Sequence, residues 1–186
     1  MLNPIKKMKL HLSMLFFMGF MTLASAQEPL YSDSITVNLF LLDECRICQY
    51  YGPIINQIHT EFASDDILFK GYFPNFSSKK EQIAQFKEDY ALPFELKTDY
   101  FKKKSKRFEL EVLPTVVIYD ERQKKILYQG RIDNRFYGVG KQRQVTTHND
   151  LINALEAIVN QLPIEEKSTQ PVGCFINFVD NISRSR

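Results

Sequence analysis

The sequence has no tryptophan, three cysteines, three histidines and seven glycines among 186 residues. Three cysteines are too few for a disulfide-dense scaffold. So little glycine excludes a collagen-like or low-complexity chain. Neither sign of charge dominates, with 24 Lys and Arg against 22 Asp and Glu, so nothing marks a nucleic-acid-binding surface. No apolar run reaches the about 20 residues that a membrane span requires. Methionine is missing from most of the chain, because all five (Met1, Met8, Met14, Met18, Met21) fall at the start. What is present, 44% hydrophobic residues, can fill one core, and the length suggests one domain.

The first 26 residues have the layout of a secretory signal peptide. Lys6, Lys7 and Lys9 precede the apolar stretch Leu12–Leu23, and Ala24-Ser25-Ala26 supplies a small-x-small cleavage pattern. The alternative is an uncleaved anchor, for which twelve apolar residues are short. Removing this leader takes three lysines from the 24 basic residues, so 21 face 22 acids and the net charge falls from +2 to −1. The product is expected to be exported, periplasmic or secreted, with no stable membrane insertion, in a compartment that oxidises thiols.

In the remaining chain, Ile35–Leu42 is an apolar run that predicts a buried strand. A helix to about Ser64 follows, with Ile54, Ile55, Ile58 and Phe62 at helical spacing and Pro53 expected to kink it. Ile67–Phe73 is a second strand. Ser78-x-x-Glu81 has the spacing of a capping box opening a helix through Tyr90, whose inner face carries Ile83, Phe86 and Tyr90. Pro93–Leu96 is a candidate strand and Tyr100–Phe108 a basic helix. Val116–Tyr119 and Ile126–Gln129 form a hairpin. Asp150–Gln161 is an amphipathic helix, with Leu151, Leu155, Ile158 and Leu162 on one side. A domain over 27–165 and a tail over 166–186 are expected. A parallel crossover followed by an antiparallel pair defines an α/β fold with a mixed central sheet flanked by helices.

Cys45-Arg46-Ile47-Cys48 stands where the first strand hands over to the first helix. A helix N-terminus favours a thiolate at Cys45 by about 0.3–1 kcal/mol, and Arg46 adds a cation beside it. Cys48, one turn on, would be the shielded partner that resolves a mixed disulfide. Two other readings stand beside this one. A structural disulfide across four residues would stabilise by only about 2 kcal/mol, against about 5 for a long loop such as Cys48–Cys174. Half of a zinc site lacks the second ligand pair.

Three segments resemble the thioredoxin-like superfamily: the strand-to-helix Cys-x-x-Cys with Pro53 beyond it, Leu113-Pro114-Thr115 leading into Val116–Asp120, and Ile126–Gly130 as the hairpin partner. The gap between Cys45 and Pro114 is similar to that of the redoxin branch (alkyl-hydroperoxide-reductase and thiol-specific-antioxidant proteins), which carries an insert after the central strand. Glu44-Cys45, Gly130-Arg131-Ile132-Asp133 and the tail Gly173-Cys174-Phe175-Ile176 resemble a peroxiredoxin-like subfamily ending in Gly-Cys-x-Ile. The resemblance implies a thioredoxin-like fold with an insert between the central strand and a cis-proline strand. It implies thiol–disulfide exchange by Cys45 and Cys48, with Leu113 and Pro114 facing the pair and binding substrate. Arg46 would tune the Cys45 thiol. No cofactor or metal is expected, and the partners would be protein or small-molecule thiols and disulfides plus an electron-transfer partner. Where a peroxiredoxin carries Pro-x-x-x-Thr-x-x-Cys, this chain has Asn38 and Leu42. A thiol peroxidase using Cys45 is therefore the second reading, and a copper-binding metallochaperone using Cys45, Cys48 and His148 the third. Cys174 is either a third redox cysteine on a mobile tail or an inert packing residue. Lys102, Lys103, Lys104, Lys106 and Arg107 suggest a solvated helix face, with an anionic partner as the alternative. The loop carrying Arg131, Asp133, Arg135 and Arg143 is a surface loop near the site.

Overall fold

The computed structural model describes residues 28–178. The leader assigned to residues 1–26 lies outside them, as does the end of the tail. Among the described residues no helix is long and apolar enough to cross a membrane.

The core is built on β1 (Ile35–Phe40), all six of whose residues are buried. A strand covered on both faces has no reason to alternate, which is why it is a continuous apolar run in the sequence. The helix α1 (Arg46–Phe62) leads away from it and runs on through Pro53, burying Ile55, Ile58 and Phe62. It returns to β2 (Ile67–Phe73), which pairs with β1 in parallel. The expected insert follows as α2 (Lys80–Asp89), β3 (Glu95–Thr98) and α3 (Lys103–Arg107). β3 adds to β2 in parallel. The chain then passes through β4 (Val112–Leu113), β5 (Thr115–Asp120) and β6 (Lys125–Gly130). The five-stranded sheet has the order β3-β2-β1-β5-β6, with β5 antiparallel to β1 and β6 antiparallel to β5. It is a mixed sheet flanked by helices, as expected. A small hairpin, β7 (Phe136–Gly138) with β8 (Lys141–Gln142), precedes α4 (Asp150–Val159). The last strand, β9 (Cys174–Phe175), pairs antiparallel with β4.

Several local expectations are corrected. Ser78 does not cap α2, because its hydroxyl donates to the Asp43 carboxylate; the helix starts one residue later, after Lys79. Leu162 lies beyond the end of α4 and is exposed. The basic run is not a uniform solvated face. Lys102 is buried, with its ammonium 4.4 Å from the centre of the Phe76 ring and donating to the Tyr100 carbonyl. Arg107 donates to the Tyr119 hydroxyl at 2.6 Å. A long aliphatic stem can line a core while its charged end finds a polar partner or a ring face.

The tail past α4 is part of the folded unit. Gln129 donates to the Lys167 carbonyl and accepts from Thr169 N–H, at 3.0 and 3.1 Å. This covers the free edge of β6, which would otherwise present unpaired backbone. The approach needs Gly130, where a Cβ would lie 2.1 Å from the Thr169 hydroxyl.

Candidate functional site

Cys45 is the N-cap residue of α1 and is 2% exposed; Cys48, in the first turn, is fully buried. Position follows from chain geometry. β1 delivers the chain to the sheet's C-terminal edge, and one helical turn returns Cys48 beneath Cys45. The Leu42 N–H points at Cys48 Sγ at 3.4 Å. The same Leu42 stands where a peroxidase would carry a hydroxyl, and it is buried and apolar.

The two thiols are driven apart in acidity. The hydrogen bond from Cys48 lowers Cys45 most; burial opposes it, and Cys174 and the first helical N–H groups, of Cys48 and Ile47, add to the lowering, so Cys45 comes down to about 5. Burial, followed by the hydrogen bond and charge of Cys45, pushes Cys48 well above the ordinary thiol range. One sulfur is therefore a thiolate at neutral pH and its neighbour a protonated donor. Arg46 is not among the leading causes of this lowering. Its side chain is exposed, and the anion is held by sulfhydryls and backbone N–H groups at the buried end of the helix.

Leu113, which precedes Pro114, lies against Cys45. The Leu113–Pro114 bond is cis, and the Leu113 carbonyl lies 3.9 Å from Cys45 Sγ. The outer edge of Leu113, expected to meet substrate, is engaged by the chain itself, because Leu113 pairs with Cys174 in the β4–β9 ladder. Cys174 is thus in the site, paired with the residue whose carbonyl lies 3.9 Å from Cys45 Sγ. It is neither remote packing nor carried on an unattached tail. All three cysteines are free thiols.

His148 does not join them. It is exposed on the loop before α4, and among the described residues no group of three or more His, Cys, Asp or Glu side chains could hold a metal ion. The copper reading loses its third ligand on this geometry.

Sequence reasoning missed the supports of the site. Tyr51, one turn beyond Cys48, donates to Asp133 at 2.5 Å, and Asp133 also accepts from Arg135 N–H. Burial first, then Asp133, raises the Tyr51 phenol far above its usual range, so it stays a donor. Phe136 packs edge-on against Tyr50 and Tyr51. The Asp133 loop is thereby bolted to the first helix rather than lying free on the surface. Asn75 holds the tail: it donates to the Phe175 carbonyl at 3.2 Å and accepts from Asn177 N–H at 2.9 Å. An isolated Asn before a helix carries no sequence signal for a partner about a hundred residues away. Clefts of about 630 and 560 Å³ open beside α4 and before β1, and neither touches a cysteine.

No family model matches the chain, and no curated protein does. Solved structures do. An uncharacterized conserved protein from Geobacillus kaustophilus is 20% identical with a TM-score of 0.69, over 81% of this chain and 80% of that one. A hypothetical protein from Sinorhizobium meliloti 1021 is 18% identical with a TM-score of 0.68, over 79% of this chain and 81% of that one. MTB dsbF, solved in mixed oxidized and reduced forms, is 13% identical with a TM-score of 0.50, over 68% of this chain and 81% of that one. These are likenesses of fold, and the fold is thioredoxin-like.

Proposed function

We propose that this protein is an exported thiol–disulfide oxidoreductase of the redoxin branch, working through Cys45 and Cys48 without a cofactor. The observation that carries the reading is the placement of the pair: Cys45 at the N-cap of α1, 3.9 Å from the carbonyl that precedes cis-Pro114, with Cys48 buried in the first turn behind it. A helix N-terminus favours the thiolate at Cys45, which a pair that only stapled the fold would not need.

In this mechanism the Cys45 thiolate attacks a substrate disulfide, and one substrate sulfur leaves as a thiol. Cys48 then gives up its proton and attacks Cys45 Sγ. The second substrate thiol is released, and the Cys45–Cys48 disulfide remains. An electron-transfer partner returns the pair to thiols. Leu113 and Pro114 form the wall against which the mixed disulfide lies. Because the reduced form holds a stabilised anion, the pair is expected to be a better oxidant than one with an ordinary thiol. The substrates are protein or small-molecule disulfides and thiols, met outside the cytoplasm after loss of the leader. The domain expected over 27–165 would carry Cys45 and Cys48, with the described part of the tail, to residue 178, docked on it.

The test is insulin reduction by the reduced protein, alongside the reduction potential of the pair. Turnover that disappears in Cys45→Ser supports the reading. A potential below about −300 mV with no turnover would identify a structural bridge instead. Peroxide consumption surviving Cys48→Ser would favour the peroxidase.

A further inference from the structure

The strand β9 lies along Leu113, the residue that the resemblance assigns to substrate. Cys174 pairs with Leu113 and Phe175 with Val112, antiparallel. The Ile176 N–H donates to the Glu111 carbonyl at 2.8 Å, and Asn75 clamps Phe175 and Asn177 from the other side. Gly173 lies flat on the Leu113 peptide, where a Cβ would come 1.8 Å from the carbonyl oxygen. No other residue fits that gap. The same carbonyl touches Cys45 Sγ, so one peptide unit brings Cys45 and Cys174 together from positions 129 apart in the chain. Outward exposure runs in order: Cys48 and Cys45 are buried, Cys174 is half-buried, and Phe175 beside it is 75% exposed.

We propose that Cys174 is a third exchange cysteine, standing in the place of a substrate cysteine and carrying the disulfide from the buried pair to the surface. The proposal rests on the oxidoreductase reading above and deepens it. In the oxidised protein Cys174 releases its proton to solvent and its sulfur attacks Cys45 Sγ. The Cys45–Cys174 bond forms and the Cys45–Cys48 bond breaks. The electron pair leaves on Cys48 Sγ, which takes up a proton. One thiol and one disulfide stand on each side, so no oxidant is consumed. Burial raises Cys48 and makes it the slower sulfur to leave, so the step relies on Cys174 being held beside Cys45 by the β4–β9 ladder. In the reduced protein burial, then the hydrogen bond and charge of Cys45, pushes Cys174 up to about 12. The latter two vanish once Cys45 is in a disulfide, so Cys174 ionises more readily in the state in which it must attack.

The full chain carrying Cys48→Ser, reduced and then treated with oxidised glutathione at neutral pH, is quenched in acid and its disulfides are mapped by mass. The expected product is a Cys45–Cys174 link, at least about tenfold in excess over the Cys45–glutathione adduct, because the intramolecular thiol is held in place. Cys45 left on glutathione with Cys174 free would overturn the proposal. Adding Gly173→Val should undock the strand and cut the link by about tenfold, since a free tail loses its effective concentration. An undiminished link there would also overturn it. Wild-type insulin reduction is read in parallel. Turnover without the link rejects Cys174 exchange alone; the link without turnover supports Cys174 exchange while rejecting the oxidoreductase.

Discussion

The first turn of α1 and the β4–β9 ladder both bring a thiol to Cys45, and they do so by different means. Cys48 arrives through local geometry: three residues along one helix, in a segment whose apolar strand and helix are written in consecutive residues. Cys174 arrives through topology, on a two-residue strand fixed by Asn75, Glu111 and Gly173. The helical contact cannot be lost without unwinding the helix. The ladder contact can open while the central sheet stays intact, because it lies in a separate two-stranded pairing. The site thus combines one partner fixed by the helix and one held by a separate two-stranded pairing.

Five experiments break or sharpen that contrast, and their expected effects fall in sequence. Cys45→Ser, which removes the sulfur common to both regions, should lower insulin reduction by about 1,000-fold or more, because nothing else supplies the nucleophile. Gly173→Val acts only on the ladder. The inserted side chain should cost about 1–3 kcal/mol in chemical denaturation if the strand stays docked, or release the tail to proteolysis while α1 remains protected. Asn75→Ala should cost about 0.5–1.5 kcal/mol by removing the hydrogen bonds of Asn75 to the Phe175 carbonyl and the Asn177 N–H. Amide exchange should rise at residues 174–177 and not at 46–62. Cys48→Ala and Cys174→Ala should both raise the Cys45 pKa, the first by more, since the Cys48 hydrogen bond is the leading cause of its depression. Arg46→Ala should move it by less than about half a unit, as an exposed charge is screened by solvent.

The acidity split also fixes a pH dependence. Cys45 is depressed in the folded reduced protein and ordinary when unfolded. Its thiolate therefore stabilises the reduced fold fully above about pH 9, and that contribution is lost as the pH falls through about 5. Across this window Cys48 and Cys174 are raised and keep their protons when folded. The oxidised protein has no such anion. Denaturation of the two forms should show the reduced one gaining stability from pH 5 to about 8 relative to the oxidised one, and losing it again above that as the unfolded Cys48 and Cys174 ionise.

The same contrast explains what was legible beforehand. β2 was read to the residue, and β1, the hairpin strands and α4 to within two, because burial and period write themselves into adjacent residues. Cys45 and Cys48 were legible for the same reason, and Leu113-Pro114 by resemblance. The docking of Cys174 was not, since two residues of strand carry no periodicity and the clamp at Asn75 is a single polar residue. The exposure of Arg46 was not legible, because adjacency in sequence says nothing about direction, and on a helix the neighbouring side chain turns away by about 100°. Lys102 was misjudged because a run of charges conceals the one member whose left-handed backbone, φ 54°, turns it inward.

The central claim is that Cys45 is a thiolate held by its two thiol neighbours. The most direct test is the rate of Cys45 alkylation by iodoacetamide against pH in the fully reduced protein, followed by mass at that residue. The account expects a half-point near 5. A half-point at about 8.5, that of a free cysteine, would contradict it.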